Sequence, residues 1–181
     1  MTPRARLFLR ANHPMEPNMA EISAAAPRVK IATEVGDITI ELHEDEAPNT
    51  VANFINLTEK GHYDGLSFHR VVPGFVAQGG CPDGNGSGGP GYCIKMEPGK
   101  SHIRGAVAMA RTANPDSAGC QFYFVLDPNA CKHLDGTYSV FGQIVDGIDN
   151  IDKIKGGTKM TKLEVLNKRD HEYKPETLPG K

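Results

Sequence analysis

The 181-residue chain contains no run of apolar residues near the ~20 needed to carry a helix across a bilayer, so the expectation is a soluble protein with no membrane partner. No signal peptide is expected either: Leu7-Phe8-Leu9 is too short for an apolar secretory core, and Arg10 follows at once. Cys81, Cys93, Cys120 and Cys131 form no Cys-x-x-Cys pair and no Cys/His cadence of the zinc-site kind. They read as free thiols in a reducing, cytoplasmic compartment, with no metal and no cofactor expected. Cys81 and Cys93 bracket a glycine-rich loop, which leaves a disulfide or a soft-metal side function open between them. Neither sign of charge prevails: 20 Lys plus Arg against 22 Asp plus Glu give a net charge of −2, and no electrostatic case for nucleic acid or an anionic membrane. Internal repeats and heptads are also lacking.

Glycine (20) and proline (13) are plentiful, as in a domain of short strands joined by turns. Residues 1–28 carry scattered prolines and read as a flexible extension, with Met19 as an alternative start and a partner-binding tail as the sharper reading. From Val29 the pattern alternates through Val29–Thr33, turns at Gly36-Asp37 and alternates again with Ile38, Ile40 and Leu42 inward. Pro48-Asn49-Thr50 opens a helix whose Val51, Phe54, Ile55 and Leu57 recur at helical spacing. Further strands are read at 105–110, 121–126, 138–145 and 163–166, with a second helix marked by Ile148, Ile151 and Ile154. Residues 29–166 form the predicted domain and 167–181 an exposed C-terminal tail. Because the helices do not alternate with the strands, the predicted architecture is mainly β, a closed antiparallel barrel rather than an α/β sheet.

The run Ser67–Gly80 carries the chemistry. Strand alternation puts Phe68, Arg70 and Val72 on one side before Pro73-Gly74 interrupts the ladder. After it, Phe75 and Ala77 fall on one face and Val76 and Gln78 on the other, unless a bulge at Gly74 re-aims one of them. A guanidinium, an aromatic ring and an amide thus meet across a kink. A plain hairpin whose arginine reaches out to solvent carries the same pattern. The loop Pro82–Gly91, with Gly84, Gly86, Gly88, Gly89 and Gly91, lacks the Gly-Lys-Ser/Thr ending of a phosphate cradle.

The run Phe68-His69-Arg70-Val71-Val72-Pro73-Gly74-Phe75-Val76-Ala77-Gln78-Gly79-Gly80 resembles the signature of the cyclophilins, peptidyl-prolyl cis-trans isomerases. Gly86-Ser87-Gly88-Gly89, Gly105–Ala110, Gln121–Phe124, Leu134-Asp135-Gly136 and Val140-Phe141-Gly142 follow in the family's order, so the likeness covers about Val29 to Leu166. It implies a closed eight-stranded barrel capped by a helix at each end, with the groove on the outer wall. Arg70 matches the catalytic donor, and Phe75, Val76, Tyr123 and Leu134 match the proline socket. Gln78 and Gln121 match the amides that hold Arg70 and the substrate backbone, Gly86 the loop beside the groove, and Ala110, Arg111 and Thr112 the edge that pairs with a peptide. His133 and Tyr138 match the rim. The implied partners are proline-containing peptides and unfolded proteins, met by a monomer.

Four positions depart from the usual pattern. Val76 replaces methionine, Arg111 an asparagine, and Tyr123 a phenylalanine, which adds a hydroxyl to be satisfied. His133 replaces the tryptophan of strongly cyclosporin-sensitive members, and with no tryptophan anywhere in the chain the implied cyclosporin A site is weak. The segment Met109-Ala110-Arg111-Thr112, with His133 and Tyr138, looks more like bacterial members than animal ones. A barrel that holds proline segments without turnover is the alternative to an enzyme. His69 reads as structural, because alternation turns it from Arg70 and isomerisation moves no proton. His43, His62, His102 and His171 read as surface residues.

Overall fold

The alternating apolar residues pair as expected. β1 (Arg28–Thr33) and β2 (Gly36–Leu42) form an antiparallel hairpin that buries Val29, Ile31, Ile38, Ile40 and Leu42. The computed structural model describes residues 25–180, so nearly all of the predicted N-terminal extension lies outside the described residues. The hairpin turn falls at Glu34-Val35 rather than at Gly36-Asp37. There Thr33 Oγ1 donates to Gly36 O (2.6 Å) and accepts from Val35 N (3.1 Å), and these side-chain bonds fix a turn the sequence pattern misplaces.

Eight strands make one antiparallel sheet: β1, β2, β3 (Arg70–Val72), β4 (Val76–Gly79), β6 (Ala106–Met109), β7 (Phe122–Val125), β8 (Val140–Asp146) and β9 (Met160–Asn167), in the order β3-β4-β7-β6-β8-β2-β1-β9. The expected closed barrel is not formed, because the outer strands β3 and β9 do not pair as strands. Only the isolated bridge Ser67 to Lys159 and flanking bonds such as Phe68 N to Thr158 O (2.8 Å) and Met160 N to Leu66 O (2.8 Å) join the two edges. β3 begins at Arg70, too late to extend a ladder along β9.

Inside the sheet Phe54, Tyr63, Phe68, Phe122, Phe124 and Phe141 are buried and pack mostly edge-on or tilted, for example Phe54 on Phe122 at 5.5 Å and 88°. Phe54 comes from α1 (Pro48–Glu59), which also buries Val51, Ile55 and Leu57. The second expected cap differs. Ile148–Lys153 is a 3₁₀ helix, in which residues three apart eclipse, and this accounts for the strict spacing of Ile148, Ile151 and Ile154. A short helix α2 (Pro128–Cys131) follows β7, begun by Asp127 accepting from Asn129 N at 2.9 Å.

The C-terminal segment is largely exposed, as expected, but it is docked on the domain. β10 (Leu178–Pro179) pairs with β5 (Tyr92–Cys93), Tyr173 Oη donates to Glu44 at 2.7 Å, and Asn49 exchanges bonds with Glu176 N (2.7 Å) and O (2.9 Å). α1 also needs outside help. Its N-cap residue, Ala47, offers no side-chain acceptor, so the Glu97 carboxylate takes Asn49 N (3.2 Å), Thr50 N (2.6 Å) and Thr50 Oγ1 (2.7 Å). Glu97→Ala should therefore lower stability by about 1–2 kcal/mol, read as a lower urea midpoint at unchanged m-value.

Candidate functional site

Strand register builds the site from four neighbours on the outer wall. Arg70 lies opposite Gln78, Gln78 opposite Tyr123, and Tyr123 opposite Ala108, so their side chains stand in one row across β3, β4, β7 and β6. Ala108, at the end of the row, is fully buried in the outer apolar cluster. Alternation alone does not give the rest. Phe68 is fully buried while Arg70 is exposed, because Phe68 and His69 belong to no strand and the side-chain phase is reset between them. At the turn Pro73-Gly74, Gly74 has φ +71°, and Phe75 joins Val76 on the outer wall while Ala77 enters the core.

β7 has no solvent face. Phe122 and Phe124 fill the inner core, whereas Tyr123 and Val125 join Val76, Ala106, Ala108, Cys131 and Val140 in a second apolar cluster on the outside. Phe75, Ala110, Leu134 and Tyr138 pack at its margin. Where that cover stops, a cavity of about 200 Å³ opens, lined by Arg70, Phe75, Val76, Gln78, Ala110, Arg111, Tyr123, Leu134 and Tyr138.

Gly86, Thr112, Gln121 and His133 are not in that lining. Gln121 stands behind Gln78: its Oε1 accepts from Gln78 Nε2 (3.0 Å), and its own Nε2 donates to Gly86 O (2.8 Å) and Gly88 O (2.9 Å). The Cys81 thiol accepts from Gly86 N and Gly88 N, both at 3.3 Å, so the same loop is held from two sides. Cys81 and Cys93 are both free thiols. His133 stacks on Phe75 at 6.1 Å and 14°. Thr112 N donates to Ser117 Oγ at 2.9 Å and Ala110 N to Gln121 O at 2.9 Å, which leaves Arg111 N–H without a partner among the described residues.

The two arginines differ. The Arg70 guanidinium makes no hydrogen bond and no ion pair with any described residue; Gln78, opposite it in the ladder, donates its Nε2 to Gln121 Oε1. Arg111 is fixed. Its Nε and Nη2 donate to Thr137 O (3.1 and 2.6 Å), its Nη1 to Thr112 O (2.8 Å), and its guanidinium lies 4.2 Å from the Tyr138 ring centroid.

The hydroxyl that Tyr123 adds has a partner the sequence reading assigned to the surface. His102 is buried, with Nε2 2.8 Å from Tyr123 Oη and Nδ1 2.8 Å from Asp135 Oδ1, which also accepts from His102 N at 2.7 Å. The Asp135 carboxylate, held below its usual range by those His102 bonds, stays ionised and accepts a hydrogen bond from Nδ1–H. In a neutral ring Nε2 then accepts from Tyr123, whose phenol burial keeps protonated. A polar hydroxyl in an apolar socket was the available signal for His102 and Asp135.

Tyr123→Phe leaves His102 Nε2 buried and unpaired, so it should lower stability by about 1–3 kcal/mol in urea unfolding. Burial also lowers the His102 pKa, against the pull of Asp135. The unfolded ring therefore takes up a proton that the folded one resists. This contribution is intact above about pH 6.5 and is lost as the pH falls below it. The drop in urea midpoint from pH 7.5 to pH 5.5 should accordingly be smaller in His102→Gln than in the parent protein.

Residues 28–171 match the family model for cyclophilin type peptidyl-prolyl cis-trans isomerases. The chain is 47% identical over 131 residues to peptidyl-prolyl cis-trans isomerase B of Bacillus subtilis, covering 71% of this chain and 90% of that protein. It is 50% identical over 135 residues to a Helicobacter pylori peptidyl-prolyl cis-trans isomerase, covering 70% of this chain and 79% of that protein. Among solved structures, a Cryptosporidium parvum cyclophilin type isomerase superposes with a TM-score of 0.73 at 26% identity, covering 78% of this chain and 98% of that one. The same enzyme solved in the presence of the dipeptide Ala-Pro gives a TM-score of 0.72 at 27% identity, covering 77% of this chain and 99% of that one. A match over most of the chain, with the signature run lining the outer-wall cavity, makes this protein a member of the cyclophilin-type peptidyl-prolyl cis-trans isomerase family.

Proposed function

We propose that the outer-wall cavity binds a proline ring and that Arg70 catalyses rotation about the preceding peptide bond. An amide resists rotation by ~18–20 kcal/mol because its nitrogen donates the lone pair into the carbonyl. As the bond twists that donation is lost, and the prolyl nitrogen becomes a pyramidal hydrogen-bond acceptor. A fixed cationic donor aimed at it therefore stabilises the twisted state over both planar ones, with no nucleophile and no proton transfer. The observation that carries this reading is Arg70 itself. Its guanidinium is unengaged by any described residue, yet it borders the same cavity as Phe75, Val76, Tyr123 and Leu134. These apolar walls suit a pyrrolidine ring, and its burial contributes a few kcal/mol at ~25 cal/mol per Å², so binding is weak.

The same reading places the activity in residues 29–166, acting as a monomer in the cytoplasm on proline-containing peptides and unfolded chains. Family membership and a structural neighbour solved with Ala-Pro support the substrate class. Among the described residues no helix is long and apolar enough to cross a membrane, in keeping with that location. His133, stacked on Phe75 in place of tryptophan, argues for weak cyclosporin A binding. Arg70→Ala should lower kcat by about 10²–10³-fold while changing peptide affinity only a few-fold, measured by NMR exchange and titration on one proline peptide. Full turnover in that variant would favour a module that only holds proline segments.

A further inference from the structure

The cavity is lined by two positive charges and by no carboxylate. Of its nine lining residues, Arg70 and Arg111 are charged and the rest are neutral. This contrasts with a chain whose net charge is −2. It also contrasts with the other arginines among the described residues, each of which is paired: Arg28 with Glu41, Arg104 with Asp152, and Arg169 with Asp45 and Glu44. Arg70 and Arg111 have no such partner among the described residues. The neighbouring acid, Asp135, is not in the lining, and its Oδ1 is committed to His102 N and Nδ1.

The second charge is also preorganised. Arg111 gives three donors to Thr137 O and Thr112 O and rests on the Tyr138 ring, so its side chain is held before any ligand arrives. Those bonds are to neutral carbonyls, so its charge remains uncompensated. A guanidinium carries five N–H groups, and the two left over stay available to an acceptor. At Tyr123, whose pKa burial raises, the Arg111 charge opposes that rise while the Asp135 charge adds to it. A ligand carboxylate placed here meets a fixed donor whose rotamer entropy is already spent. An ammonium side chain meets like-charge repulsion from both arginines.

Building on the isomerase reading, we infer that the groove prefers proline segments with a carboxylate side chain beside the proline, and that Arg111 is the specificity-determining residue. The test uses two sets of short peptides in which Glu, Gln or Lys stands immediately before or immediately after the proline, with kcat/KM measured by NMR exchange. In at least one set the Glu peptide should exceed its Gln counterpart by about twofold to fivefold, with the Lys peptide lowest, as for a partly exposed ion pair. The advantage should lie in KM rather than kcat. It should shrink toward one in 1 M salt, where screening acts over ~3 Å. In Arg111→Gln the Glu/Gln ratio should fall to about one whatever turnover remains, and Arg111→Lys should keep part of it.

Equal rates for Glu and Gln peptides in both sets of the parent protein would overturn the inference while leaving the isomerase reading intact. So would a preference that survives high salt or Arg111→Gln. Failure to turn over the neutral Gln peptides would remove the isomerase reading, and this inference with it.

Discussion

Cross-strand register is the constraint on which the site depends. Because β3, β4, β7 and β6 pair without slippage from Arg70 through Gln78 and Tyr123 to Ala108, four side chains distant in sequence share one face. A shift of one residue in any of these ladders would turn a member of the row to the other face. β3 is only three residues long, and it reaches β9 only through the hydrogen-bonded seam around Ser67 and Lys159. The open seam sets where β3 starts, and so which of Phe68 and Arg70 points into the core.

A groove on the outside of a sheet needs apolar walls that water would otherwise cover. Here the chain after β7 supplies them. α2 and the 3₁₀ turn at Lys132–Leu134 lay Cys131 and Leu134 over Tyr123, Val125 and Val76, making a second small core. The cavity is the place where that cover ends. This explains why β7 has buried residues on both faces, and why a polar atom on its outer face needs a dedicated partner. Tyr123 finds it in His102, which Asp135 orients from the far side.

Much of this was legible in the sequence. Strict alternation in β1 and β2 and helical spacing in α1 gave those elements almost to the residue, because each buries one face against the same core. Arg70, Phe75, Val76, Gln78, Ala110, Arg111, Tyr123, Leu134 and Tyr138, all carried over by resemblance, line a single cavity. What stayed hidden depends on contacts far apart in the chain. His102 carries no local mark of burial, since its partners are 21 and 33 residues away. The docking of the C-terminal segment rests on the two-residue pairing of β10 with β5 and on single polar contacts such as Tyr173 to Glu44, too short and scattered to leave a period to read. Closure of the barrel, expected from the strand pattern as well as from the family picture, is withheld by the short β3.

The glycine-rich loop links these levels. Its backbone is pinned from one side by Cys81, a sulfur accepting from Gly86 N and Gly88 N, and from the other by Gln121, an amide donating to Gly86 O and Gly88 O. Donors and acceptors of the same two residues are thus satisfied by different elements, which fixes the loop in position as well as direction. The Gln121 amide fixed in this way presents its oxygen to Gln78, and Gln78 stands opposite Arg70. The Gln78 Nε2 donor is thereby engaged, and the Arg70 guanidinium makes no hydrogen bond with any described residue. An acidic side chain in place of Gln78 would bring a carboxylate directly across the strand pair from Arg70, and the arginine's charge would be neutralised within the protein.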